Sequence, residues 1–217
     1  MSAVTGPLPI IASDRVVSVV RADRAFDVGS LVVALNEGGI RAVELTLTTP
    51  GILTELAHTD IACRAPGAVL GVGTVLTAEQ ADDAIDAGAQ FLVTPALSES
   101  VARAAAARGV PVIMGALTPT EVRAAIDMGA DAVKIFPARA LGPDYLRDLH
   151  GPFPGIPLIP SGGVNAANAA GFLQAGALAV TAGTDVVAPD LVSAGQWATI
   201  TERAATFVRA IADRDRG

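Results

Sequence analysis

The sequence predicts a (β/α)8 TIM barrel in a single domain spanning residues 1–217, and three observations carry that expectation. An apolar, β-branched run followed by an amphipathic stretch with a capping residue recurs eight times along the chain. The runs are continuously apolar rather than alternating, as expected of strands buried on both faces. The connections are only a few residues long, which favours parallel strands joined by helices. Eight such units in about 200 residues fit a minimal barrel, whose usual size is ~250 residues. A doubly wound open sheet is the other arrangement that these signals allow.

Taken in order, the first run is Val16 to Val20, followed by a helical pattern from Asp23 to Glu37 that Gly38-Gly39 closes. Ala42 to Leu47 is the second, and Thr49-Pro50 reads as the start of the next helix, with Pro in its first turn. Val69 to Val75 is the third, with Thr77 as N-cap of a helix from Ala78 to Ala87. Phe91 to Thr94 is the fourth, and Ser98 caps a helix that stops at Gly109. Val110 to Met114 is the fifth, and Thr118-Pro119-Thr120-Glu121 opens a helix ending at Gly129. Ala132 to Phe136 is the sixth, with Pro143 to Leu149 helical after it. The Pro-rich stretch Gly151 to Pro160 leads into the seventh strand, which holds Leu158 and Ile159, and Asn165 begins a helix ending at Gly176. Leu178 to Thr181 is the eighth, and a long final helix runs from Asp190 to Ile211.

Composition narrows the functional class. Hydrophobic residues at 51% and charged residues at 17% exclude a disordered chain. The net charge of −7 argues against nucleic-acid binding, which leaves a basic footprint. No apolar run approaches the ~20 residues that span a bilayer. The opening MSAVTGPLPIIASDR has neither a basic n-region nor a sustained apolar h-region, so no signal peptide is expected. The single cysteine, Cys63, precludes an internal disulfide framework and fits a reducing, cytoplasmic setting.

In a barrel, chemistry sits at the C-terminal ends of the strands, so polar residues inside apolar runs are the informative ones. Lys134, in Ala-Val-Lys-Ile-Phe-Pro, is the only lysine among 15 basic residues. An ammonium there must be paired, solvated or deprotonated, and the last state serves Schiff-base nucleophiles. Glu44 lies inside the second run, where alternation puts it on one face with Thr46 and Thr48. It is either an ion-pair partner of Lys134 or a proton carrier for it, and the two roles are compatible. Pro160-Ser161-Gly162-Gly163 and Ala182-Gly183-Thr184 end the seventh and eighth runs, the frequent phosphate site of such barrels. Gly71-Val72-Gly73-Thr74-Val75 has Leu76 where a dinucleotide fingerprint needs its third glycine. His58 and His150 read as surface residues, and no cluster has metal-ligand spacing.

These segments together resemble the bifunctional KDPG/KHG aldolases, class I enzymes acting on 2-keto-3-deoxy-6-phosphogluconate or 4-hydroxy-2-oxoglutarate. The resemblance rests on Glu-Leu-Thr-Leu-Thr-Thr-Pro (44–50), Gly-Val-Gly-Thr-Val (71–75), Val-Thr-Pro (93–95), Val-Lys-Ile-Phe-Pro-Ala (133–138) and Pro-Ser-Gly-Gly-Val (160–164). It implies a barrel that assembles as a homotrimer and uses neither metal nor organic cofactor. It makes Lys134 the Schiff-base lysine and Glu44 its acid/base. Thr74 and Pro95 would hold the pyruvate portion, Phe136 would lie beside the imine, and Ser161, Gly162, Gly163 and Thr184 would bind the phosphate end. Where the family usually has an arginine for the substrate carboxylate, this chain has Thr48. Some relatives acting on the galactonate epimer are also neutral there, and Arg21, closing the first run, resembles an arginine of many relatives that would supply the charge. The hydroxyl of Ser161 favours the gluconate epimer. Two rivals remain at this level. A phosphosugar isomerase needs a histidine near the fourth strand, and Phe91 to Pro95 has none; a non-catalytic phosphate-binding barrel does not account for Glu44 and Lys134 together.

Overall fold

The apolar runs form eight parallel strands: β1 (Val16–Val20), β2 (Ala42–Thr46), β3 (Val69–Gly73), β4 (Phe91–Val93), β5 (Val112–Ala116), β6 (Ala132–Ile135), β7 (Leu158–Pro160) and β8 (Val180–Ala182). The computed structural model describes residues 6–212. Parallel ladders run in sequence order from β1 to β7, and β8 pairs with β1. The remaining seam is bridged by the Leu178 N–H donating to the Leu158 carbonyl at 2.9 Å and by Thr181 Oγ1 donating to the Pro160 carbonyl at 3.1 Å. The result is a nearly closed (β/α)8 barrel, not an open sheet.

The pleat divides the core in two. Val43, Leu45, Val72, Leu92, Met114, Val133 and Ile135 face outward and pack under the helices. Val17, Ala42, Val69, Phe91, Ile113, Ala132 and Ile159 face inward and fill the lower half of the barrel. Ile10 and Ile11 join this inner cluster from α1 (Pro7–Asp14), a helix that the sequence reading had not assigned. Burying each isoleucine stabilises by roughly 1.5–3 kcal/mol, which is why this stretch closes the barrel floor rather than trailing into solvent.

Helix boundaries follow caps rather than the apolar pattern. α2 (Val28–Glu37) begins five residues later than Asp23, because the Asp27 carboxylate accepts the Ser30 N–H at 2.9 Å. α3 (Ile52–Ala57) starts after Gly51, so Thr49-Pro50 belongs to the preceding turn. A further short helix, α4 (Ile61–Arg64), was not expected. Thr77 and Ser98 cap α5 (Ala78–Asp86) and α6 (Glu99–Arg108) as the sequence indicates. β5 lies two residues further on than Val110 to Met114, in register with Ala132 to Ile135 of β6. Thr118 and Glu121 form a reciprocal capping box on α7 (Pro119–Asp127). A 3-10 turn, Ala138–Ala140, precedes α8 (Gly142–His150).

The last two units also depart from the sequence reading. Asn165 caps a turn through the Ala167 and Asn168 N–H groups, and α9 (Ala169–Gln174) follows it. The expected final helix is two, α10 (Pro189–Ser193) and α11 (Trp197–Ala212), interrupted by Gly195 with φ of 63°.

The capping box yields a pH-linked prediction. The backbone N–H groups of Thr118 and Leu117 and the Thr118 hydroxyl hold the Glu121 carboxyl below its ordinary value. A carboxyl lowered in the folded state stabilises it above the unfolded pKa and loses that effect as pH falls through the lower folded value. Thr118→Ala should cost about 1 kcal/mol at neutral pH. Glu121→Gln should also destabilise there, and its cost should shrink as pH falls below about 4, read by urea denaturation at each pH.

Candidate active site

Alternation along β6 turns Lys134 into the barrel above Ala132, and along β2 turns Glu44 in above Ala42. These strands stand on opposite sides of the ring, and the two side chains meet across it. Lys134 Nζ donates to Glu44 Oε1 and Oε2, each at 3.2 Å. Lys134 is 8% exposed and Glu44 2%, so this is a buried pair whose bonds must offset the desolvation of both charges. It forms one wall of a cavity of about 420 Å3 at the C-terminal ends of the strands.

Missing side chains make the room. A Cβ at Gly73 would fall 2.0 Å from Glu44 Oε1, and one at Gly71 would fall 2.4 Å from the Phe91 ring, which fills the layer beneath. The Gly-Val-Gly pattern of β3 is therefore a space requirement. Gly115 on β5 does the same for Pro95, whose carbonyl carbon lies 2.3 Å from the position of the absent Cβ. Thr94 Oγ1 holds that corner by accepting the Gly115 N–H at 3.1 Å and donating to the Ala96 carbonyl at 2.7 Å. Immediately after β3, Thr74 lines the cavity with φ of 62°. Left-handed backbone costs a residue with a Cβ about 1–2 kcal/mol, and such strain persists where the surroundings over-determine it.

Phe136 follows β6 with its ring centroid 5.9 Å from Lys134 Nζ, and 42% of it is exposed at the mouth. Arg21 lines the cavity from the end of β1. Its backbone is held on both sides, since Thr46 Oγ1 donates to the Val20 carbonyl at 3.0 Å and Thr49 Oγ1 accepts the Ala22 N–H at 3.1 Å. Thr48 is exposed on the turn beyond β2, 3.1 Å from Thr46 Oγ1, and is not among the residues that line the cavity.

The far end is built from backbone. Gly162 and Gly163 both have φ of 86°, a conformation that successive L side chains would resist. The carbonyls of Ser161, Gly162 and Gly163 turn away, accepting from Ala138 N–H (2.7 Å), Arg139 N–H (2.9 Å) and Asn168 Nδ2 (2.9 Å). Among the described residues, the N–H groups of Gly162, Gly163 and Thr184 have no protein acceptor. Such a concavity of unpaired N–H groups suits an anion. Asp185 braces it, accepting the Ala166 N–H at 2.9 Å and so tying the loop after β8 to the loop after β7.

A family model for KDPG and KHG aldolases matches residues 9–203. The chain belongs to this aldolase family. A 2-dehydro-3-deoxy-phosphogluconate aldolase of Treponema pallidum is 35% identical over 188 residues, covering 86% of this chain and 89% of the relative. A structure described as native KDPGal superposes with a TM-score of 0.83 at 31% identity, covering 93% of this chain and 96% of that one. A KDPG aldolase from Legionella pneumophila, with pyruvate captured at low pH as a covalent carbinolamine intermediate, has a TM-score of 0.79 at 27% identity, covering 94% and 98%. Aldolases are lyases, and that is the enzyme class of this chain.

Of the residues that sequence reasoning singled out, Glu44, Lys134, Arg21, Thr74, Pro95, Phe136, Ser161, Gly162, Gly163 and Thr184 all line this one aldolase cavity, and Thr48 does not. Val19, Thr181, Val187, Pro189 and Arg139 also line it and were missed. Four of these look like ordinary core or loop residues in sequence. Arg139 had a signal, being three residues beyond Phe136 within the same segment as the lysine. Among the described residues, no group of three or more His, Cys, Asp or Glu is arranged to hold a metal.

The glycine at position 73 generates a direct test. Gly73→Ala should displace the Glu44 carboxylate and lower aldol turnover at least tenfold while circular dichroism still reports a folded barrel. Unchanged turnover would show that the carboxylate has room to move.

Proposed function

We propose that this protein is a class I aldolase that reversibly cleaves a 2-keto-3-deoxy-6-phospho sugar acid, the gluconate epimer foremost, to pyruvate and glyceraldehyde 3-phosphate. The observation that carries this reading is the chain's one lysine, held 3.2 Å from both oxygens of a buried carboxylate in a cavity whose other end is a cradle of unpaired N–H groups. The Legionella relative's captured carbinolamine supports Schiff-base chemistry here.

Imine formation needs a neutral amine and a nearby proton carrier. Lys134 gives a proton to Glu44 and its Nζ attacks the C2 ketone, forming the carbinolamine. Glu44 returns a proton to the departing hydroxyl, water leaves, and the iminium remains. Glu44, a carboxylate again, takes the C4 hydroxyl proton as the C3–C4 bond breaks, and that bond's electron pair moves toward the iminium nitrogen to give the enamine. Glyceraldehyde 3-phosphate departs. Protonation at C3 and addition of water then release pyruvate and regenerate the amine. Thr74 and Pro95 hold the pyruvate portion, Arg21 supplies the charge for its carboxylate, Phe136 lies beside the imine, and Ser161, Gly162, Gly163 and Thr184 hold the phosphate end.

A second reading concerns the epimer. The likeness to the structure described as KDPGal favours the galactonate substrate. The hydroxyl of Ser161 favours the gluconate one, and the N–H cradle favours either over the unphosphorylated 4-hydroxy-2-oxoglutarate. Parallel kcat/KM measurements on the three substrates decide the order. We also propose a cytoplasmic homotrimer; no helix among the described residues is long and apolar enough to cross a membrane. Sedimentation showing a monomer at micromolar concentration would remove the trimer.

The decisive experiment is incubation with pyruvate and borohydride, then peptide mass spectrometry. Reduction traps only an imine, and the expected adduct lies on Lys134. Lys134→Ala should abolish turnover; activity within about tenfold of the parent, a barrier change of only ~1.4 kcal/mol, would overturn the assignment. A folded protein that forms no adduct would instead point to a non-catalytic phosphate binder.

A further inference from the structure

We propose that Arg139 is a cationic contact for the substrate's terminal phosphate, closing the cradle from the side of β6; this rests on the aldolase reading above. Arg139 sits in the 3-10 turn that follows the lysine strand. Backbone bonds stitch that turn to the cradle loop, with Ala138 N–H on the Ser161 carbonyl at 2.7 Å and Arg139 N–H on the Gly162 carbonyl at 2.9 Å. The side chain then crosses Gly163, where an added Cβ would fall 2.5 Å from Arg139 Cβ and 3.3 Å from Nε. Gly163 thus serves twice, presenting its N–H to the cavity and leaving a bed for the arginine stem. The guanidinium begins beside the cradle, and Arg139 lines the cavity.

Charge balance gives the purpose. Arg41, Arg64, Arg103, Arg108, Arg123 and Arg147 each pair with an Asp or Glu. Among the described residues, Arg21, Arg24, Arg139 and Arg203 have no carboxylate within ion-pair distance, and of these Arg21 and Arg139 line the cavity. Among the described residues, Glu44 is the one carboxylate lining the cavity, and it is taken by Lys134. The cavity is therefore lined by two exposed arginines without a counter-charge, Arg21 at the end of β1 and Arg139 beside the unpaired N–H groups, in a chain whose net charge is −7. A phosphate monoester, carrying about −1.5 to −2 at neutral pH, supplies the missing counter-charge. The planar fork of an arginine suits its oxygens, and the local field attracts an anion that the whole protein repels.

The test uses Arg139→Gln and Arg139→Lys in the full chain, with glycerol 3-phosphate as the calorimetric probe. Binding should weaken at least tenfold in Arg139→Gln, recover in part in Arg139→Lys, and lose part of its salt dependence. In pyruvate addition, the preference for glyceraldehyde 3-phosphate over unphosphorylated glyceraldehyde should fall at least tenfold in kcat/KM. Probe binding within twofold of the parent overturns the proposal, as does an equal loss with both aldehydes, which would mark a structural role for the turn. Weakened probe binding in a protein that traps no pyruvate would leave the anion contact standing and remove the aldolase reading instead.

Discussion

The buried contact between Lys134 and Glu44 constrains everything around it. An ammonium and a carboxylate both lose water when they enter the barrel, and each is tolerable there only because the other is within hydrogen-bond reach. That reach requires strands on opposite sides of a closed ring, and so a barrel narrow enough for a lysine to cross. It also requires an empty neighbour, which Gly73 provides on β3. Phe91 fills the layer beneath and Ile10 and Ile11 close the floor, so the only open approach to the pair is from the C-terminal mouth. The same pair that burdens folding thus lies at the wall of a cavity open at the C-terminal ends of the strands.

The site divides into an end lined by polar side chains and an end lined by backbone, each made by a different device. At the lysine end, side chains carry the chemistry and absent side chains make the space, as with Gly71, Gly73 and Gly115. At the far end, the main chain does the work. The carbonyls after β7 are drawn off by the turn after β6 and by Asn168, which leaves N–H groups facing the cavity. Coupling through that turn means that the lysine strand and the anion cradle are positioned by one continuous set of hydrogen bonds. Phe136 and Arg139, three residues apart, both lie against the loop after β7, the ring beside Gly162 and the arginine stem beside Gly163.

Thr48 shows how a motif can be read too literally. Alternation from Glu44 through Thr46 suggests that Thr48 stays on the inner face. The strand ends at Thr46, however, and the chain turns, so Thr48 is exposed on the outside of the corner. Thr46 and Thr49 instead grip the β1 backbone on either side of Arg21. The hydroxyls of this segment position an arginine on another strand rather than lining the cavity in a row.

The linear order of apolar runs and caps determined the eight units, because burial on both faces and N-terminal capping are local signals. The isolation of one lysine and one glutamate within such runs likewise marked the chemistry, since a charge in an apolar strand has few inexpensive explanations. Residues whose role depends on strands far apart in sequence were not legible. α1 lies outside the eight repeated units, and it is the barrel floor that supplies an apolar surface for Ile10 and Ile11. The final helix looked continuous because the αL kink at Gly195 interrupts an apolar pattern that resumes on its other side. Gly71 and Gly73 read as a failed nucleotide motif, and only the positions of Phe91 and Glu44 show them to be space. Arg139 is marked in sequence only by its closeness to the lysine segment; the approach of the loop after β7 is what puts it over Gly163 at the cavity's edge. Which elements form was decided locally, and which side chains meet was decided by closure of the ring, because a contact across a barrel has no periodicity along the chain.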